Sequence, residues 1–91
     1  MSNIEIYTKS WCPYCYQAKA LLSGKSASYQ EIDVTTDGER ELEMIERSSR
    51  RTVPQIFIDG THIGGFDDLA ALQAAGKLDQ LVDSAQLYGA A

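Results

Sequence analysis

Hydrophobic residues follow two rhythms along this chain, and the switches between them lay out its elements. From Asn3 to Thr8 (NIEIYT), Ile4, Ile6 and Thr8 alternate with polar or amphipathic neighbours; β-branched residues at period two predict a strand. After the loop Lys9-Ser10-Trp11 the period changes. Cys15, Ala18, Leu21 and Leu22 recur at helical spacing, Pro13 suits the first turn, Cys12 falls at the N-cap and Gly24 supplies a stop. Tyr29 to Val34 (YQEIDV) predicts a second short strand. Thr36-Asp37-Gly38-Glu39 then matches a capping box, in which two side chains satisfy free backbone donors at a helix start. Leu42 and Ile45 give that helix a narrow apolar stripe.

Val53 to Ile58 (VPQIFI) predicts a third strand, with Pro54 at its beginning where no ladder donor is needed. Asp59-Gly60 is a hairpin turn signal, and His62-Ile63 begins the returning strand. Gly64-Gly65 leads into a third helix with Leu69 and Leu72 inward, ended by Gly76. A fourth helix carries Leu78, Leu81, Val82 and Ala85 before Gly89. The first crossover should make parallel strands and the hairpin an antiparallel pair, so the predicted class is α/β, a mixed sheet covered by helices.

Length adds that the 91 residues, 1–91, have room for a single domain. With 44% hydrophobic and 23% charged residues, the chain is expected to pack a core rather than stay disordered. The net charge of −5 argues against nucleic acid as a partner, because affinity for phosphate backbones rests on Lys and Arg. The basic cluster Arg47, Arg50 and Arg51 reads as a solvated helix end. No run approaches the length of a membrane span, and MSNIEIYTKS lacks the pattern of a secretory signal. A cytoplasmic monomer is expected, in a compartment where thiols stay reduced and a lone cysteine pair is catalytic or metal-binding rather than structural.

That pair lies in Trp11-Cys12-Pro13-Tyr14-Cys15. Helix positions three apart are neighbours, with Cβ atoms about 5 to 6 Å apart, so small adjustments let the sulfurs bond and part again. As a staple the loop is too short to constrain much of the unfolded chain. Cys12, at the helix start, faces free N–H groups and the positive dipole end, whereas Cys15 is one turn in; Cys12 is therefore the nucleophile and Cys15 the resolving thiol. Moving a thiol from its ordinary pKa of about 8.5 to about 6.5 takes roughly 2.7 kcal/mol. The helix dipole supplies about 0.3 to 1 kcal/mol, at most about 2. Hydrogen bonds and a nearby cation must add the rest, and Lys9 in the preceding loop is the candidate. A structural zinc site fails on ligand number, since only His62 joins the two cysteines; no metal is expected.

Three separated motifs, Cys12-Pro13-Tyr14-Cys15, Thr52-Val53-Pro54 before a strand and Gly64-Gly65-Phe66-Asp67-Asp68 opening a helix, give the chain its resemblance to the glutaredoxins, specifically the small bacterial dithiol kind. The resemblance covers residues 4 to about 82. It implies a thioredoxin-like fold with a four-stranded mixed sheet and glutathione as thiol co-substrate. It further implies that Tyr14 flanks the sulfur, that Thr52 and Val53 hold the tripeptide backbone, that Gly65, Phe66 and Asp67 hold its γ-glutamyl end, and that the bond before Pro54 is cis. A cis bond would turn the backbone groups of Val53 outward for pairing with an extended peptide.

Glutathione carries two carboxylates and one ammonium, which complements such a site. Lys9 suits the glycyl carboxylate, Asp67 the ammonium, and backbone N–H groups at the third helix's start the γ-glutamyl carboxylate. The implied activity is reduction of protein disulfides and glutathione mixed disulfides, with disulfide-bonded or glutathionylated proteins as partners. Asp68 reads as structural and His62 as a hairpin surface residue rather than a base. Trp11 and Tyr16 are the departures from the expected pattern, and they bear on the rim of the groove. Two competing functions share the fold: an iron–sulfur carrier built from two chains, which Pro13 disfavours by stiffening the loop, and a disulfide reductase fed by thioredoxin reductase.

Overall fold

The computed structural model describes residues 3–25 and 27–82. Strand β1 (Ile4–Thr8) leads into helix α1 (Pro13–Gly24), then strand β2 (Gln30–Asp33), helix α2 (Gly38–Ser48), strand β3 (Gln55–Ile58), strand β4 (Thr61–Gly64) and helix α3 (Phe66–Ala74). A further helical turn starts at Leu78 and reaches Val82; Ala85 and Gly89, assigned above to a fourth helix, lie outside the described residues. The sheet order is β2-β1-β3-β4, with β1 and β2 parallel and the other two pairs antiparallel. This is the mixed four-stranded sheet expected from the crossover and the hairpin.

Alternation along β1 and β3 sends side chains to two cores. Ile4, Ile6, Ile56 and Ile58 pack with Ala18 and Leu22 of α1 and Leu69 of α3, together with Leu78 and Val82. Tyr7 and Phe57 point the other way, onto Ile32, Val34 and Met44 of α2. The sheet is thus sandwiched, α1 and α3 on one face and α2 on the other, as period-two strands with both faces covered require.

Beneath α2, Arg47 donates to both carboxylate oxygens of Glu5 at 3.1 and 3.3 Å and to the Tyr7 hydroxyl at 2.8 Å, and its guanidinium lies 3.9 Å from the centroid of Phe57. The Tyr7 hydroxyl itself donates to Glu43. Arg47 is therefore exposed at the helix end, as its cluster suggested, and also tied into the α2–sheet contact; a planar cation can satisfy a carboxylate and stack on a ring at once.

Several element ends differ from the sequence pattern for local reasons. The N-cap of α2 is Asp37, whose carboxylate accepts from the Arg40 amide at 3.1 Å, so the capping box read from Thr36 is not formed. Met44, not Leu42, fills the core from this helix: Leu42 is exposed, while Ile45 is partly buried as expected. Leu81 is likewise on the outer side of its turn, with Leu78 and Val82 inward. The ladder of β3 begins at Gln55, two residues after Val53, because Pro54 has no N–H to give it. At the hairpin, Asp59 (φ 53°) and Gly60 (φ 81°) both take left-handed conformations, the pair that a two-residue turn between twisted strands demands.

Candidate active site

The site begins where α1 begins. Pro13 occupies its first turn, and the Cys15 amide donates to the sulfur of Cys12 at 3.0 Å, so Cys12 caps the helix through its Sγ. No acidic side chain sits in this first turn to compete for the positive helix end. The two cysteines are joined by a disulfide with their Cα atoms 5.0 Å apart. Cys12 retains 8% of its surface and Cys15 only 1%, so an incoming reactant meets Cys12 first.

The second wall is the segment before β3. The Val53–Pro54 bond is cis, as the resemblance implied, and the Val53 carbonyl oxygen lies 3.7 Å from Cys12 Sγ. Its position depends on a buried amide. Gln55, 1% exposed, donates from Nε2 to the carbonyl of Thr52 at 3.0 Å and to its hydroxyl at 3.3 Å. The carbonyl oxygen of Gln55 is 2.8 Å from Nε2 of His62. Because both Gln55 hydrogens face Thr52, its oxygen accepts and His62 carries its proton on Nε2. The half-buried imidazole also packs 5.0 Å from the Phe57 ring; burial first, then the charge of Arg50, pushes its pKa down from 6.5. His62 is thus a partly buried strut of the hairpin, less exposed than expected.

The start of α3 makes the third wall. Gly64 (φ 121°) brings the chain so close to Asp68 that a β-carbon on Gly64 would stand 2.2 Å from the Asp68 carboxylate. That carboxylate accepts from the Gly65 amide at 3.0 Å and from Arg50 at 3.0 Å. These two bonds, the backbone one first, hold its pKa below the usual 3.8. Asp68 is therefore held by the β4–α3 junction, and both it and Asp67 line the groove.

Between the walls runs a groove of about 240 Å³ lined by Tyr14, Arg50, Thr52, Val53, Pro54, Gly65, Phe66, Asp67 and Asp68. It brings together seven of the residues singled out for ligand binding from sequence. Tyr14 and Phe66 close one edge with stacked rings, centroids 6.2 Å apart. Lys9 stands apart from that lining: its ammonium is 2.7 Å from Glu41, which offsets its charge.

Sequence reasoning missed two residues here. Arg50 was grouped with a helix-end cluster, although its place two residues before Thr52 was a usable signal. Gln55 was passed over as part of a strand, although a polar side chain beside Ile56-Phe57-Ile58 must find buried partners.

The family model for glutaredoxin matches residues 4–63. The chain belongs to the glutaredoxin family. It is 60% identical over 82 residues to Glutaredoxin 3 of Escherichia coli K12, an alignment covering 90% of this chain and 99% of the relative. The solution structure of glutaredoxin from Brucella melitensis superposes with a TM-score of 0.78 at 54% identity, covering 88% of this chain and 87% of that one. The crystal structure of a buckwheat glutaredoxin–glutathione complex superposes with a TM-score of 0.84 at 31% identity, over 92% of this chain and 79% of that one. The fold of this glutaredoxin is accordingly thioredoxin-like, and its activity is thiol–disulfide exchange.

Proposed function

We propose that this glutaredoxin takes its electrons from glutathione and spends them on protein disulfides and glutathione mixed disulfides. The observation that carries the proposal is the groove that opens beside Cys12 and is lined by Thr52, Val53, Gly65, Phe66 and Asp67. A tripeptide thiol laid there pairs its backbone with Val53, sets its ammonium on Asp67 and its γ-glutamyl carboxylate on the amides opening α3. Arg50, in the lining, offers a cation to its carboxylates, and Lys9, outside the lining and paired with Glu41, is the proposed second partner. The glutathione complex of the buckwheat relative supports the ligand.

In the reduced enzyme, the Cys12 thiolate attacks the glutathione sulfur of a mixed disulfide. One S–S bond forms, one breaks, and the protein leaves as thiolate. A second glutathione attacks the Cys12–glutathione bond, releasing glutathione disulfide and restoring Cys12. With a protein disulfide, Cys12 forms the mixed disulfide and Cys15 displaces the product. That leaves the Cys12–Cys15 bond seen in this structure. Two glutathione molecules then reduce it to the dithiol and leave as one glutathione disulfide. The reducing cytoplasm is the proposed setting, and a monomer the proposed working form.

Paired variants test the division of labour. Cys12→Ser should lose all turnover, whereas Cys15→Ser should keep deglutathionylation and lose reduction of dithiol substrates. A Cys15→Ser protein inert toward glutathione mixed disulfides contradicts the scheme.

A further inference from the structure

A disulfide substrate has two halves, and the groove accounts for only one. The groove lies between the segment before β3 and the start of α3. Outside its lining stand two large aromatic side chains that flank the cysteine pair along the chain: Trp11, 84% exposed, and Tyr16, 59% exposed.

Their backbone and surroundings are tightly held. Ser10 donates its amide to the Thr35 hydroxyl at 2.9 Å, and Thr35 is fixed in turn by Asp33 at the end of β2. Cys12 is fixed as the helix cap. Trp11 lies between these two anchored residues. The Tyr16 hydroxyl donates to the Ser10 carbonyl at 3.3 Å, and its ring sits 4.9 Å from the Lys19 ammonium, which is itself paired with Glu31 of β2 at 2.9 Å. Two exposed aromatic side chains thus stand on pinned supports, one directly before Cys12 in the chain and one four residues after it. Such surfaces gain from contact without a large ordering cost.

We propose that Trp11 and Tyr16 form a docking rim for the polypeptide half of the substrate, selecting cysteines flanked by apolar side chains. The occupant follows from continuity with the site, because a protein joined through sulfur to Cys12, or to a glutathione in the groove, must continue past whatever rim the groove does not use. A thiol with no polypeptide attached has nothing to lay there. The inference rests on the glutathione-dependent activity proposed above.

The test uses two decapeptides carrying one glutathionylated cysteine, flanked by leucines in one and serines in the other, with the mixed disulfide of glutathione and 2-mercaptoethanol as the small substrate. The wild type should turn over the leucine peptide with a kcat/KM about tenfold above that for the serine peptide, the scale of one aromatic anchor. The Trp11→Ser/Tyr16→Ser variant should lose that preference while keeping the wild-type rate on the small substrate, and Trp11→Phe/Tyr16→Phe should retain most of it. A wild type indifferent to the flanking residues, a serine variant that keeps the preference, or an equal loss on all three substrates would overturn the proposal. A wild type inert toward the small mixed disulfide would instead refute the underlying glutathione activity.

Discussion

At the scale of single residues, the site is held together by side chains that do not themselves react. Gln55 is the clearest case: buried, doubly bonded to Thr52, and backed by His62. Losing both bonds to Thr52 frees one groove wall without touching either sulfur, at about 1 kcal/mol per bond. Gln55→Met should therefore raise the KM for glutathione by about three- to tenfold while kcat changes less than twofold. Steady-state kinetics decide it, and a fall in kcat at constant KM would contradict the assignment. The placement of the cysteines was legible because spacing and a following proline sufficed to put Cys12 at a helix start. Thr52 and Gly65 became legible only through motif resemblance, since their importance lies in what the fold brings opposite Cys12. Arg50 was hidden because its partner, Asp68, is eighteen residues away.

At the scale of elements, periodicity together with turn and cap signals located the strands and helices among the described residues, and errors gathered at ends and faces. Thr36 and Asp37 are both good cap residues one position apart, so the motif could not choose between them; the Asp37 bond to Arg40 did. In α2, Leu42 and Met44 differ by two positions, about 200° around the axis, and only the sheet's location says which faces inward. The β4–α3 junction offers a sharper test than either. Gly64→Ala should displace the Asp68 carboxylate from the Gly65 amide, freeing the start of α3. The expected loss is about 1 to 3 kcal/mol in chemical denaturation, combining a lost cap with strain at positive φ. An unchanged denaturation midpoint would contradict that close approach.

At the scale of the whole molecule, the three-layer sandwich explains why a small acidic chain can hold so asymmetric a site: α1 and α3 converge on one face, and the groove forms where their starts meet the segment before β3. Stability should carry the imprint of the single histidine. His62 has a folded pKa below its unfolded value of 6.5, so in the interval between them the unfolded chain binds more protons. Its contribution is complete above 6.5 and is lost as pH falls through the folded value. Asp68 behaves the same way lower down, losing its contribution as pH drops below 3.8. Melting curves should therefore show a midpoint that declines as pH falls below 6.5, levels off once the folded value of His62 is passed, and falls again below 3.8. In His62→Phe the first decline should disappear and the second remain; a first decline that persists in the variant assigns it elsewhere.

The proposed mechanism turns on one sulfur at the start of α1, and its ionisation is directly measurable. The reduced protein is alkylated with iodoacetamide across pH 4 to 10, and the modified cysteine is identified by mass spectrometry. Cys12 should react first, with a midpoint well under the ordinary thiol value of about 8.5. A midpoint at or above that value, or faster labelling of Cys15, would contradict it.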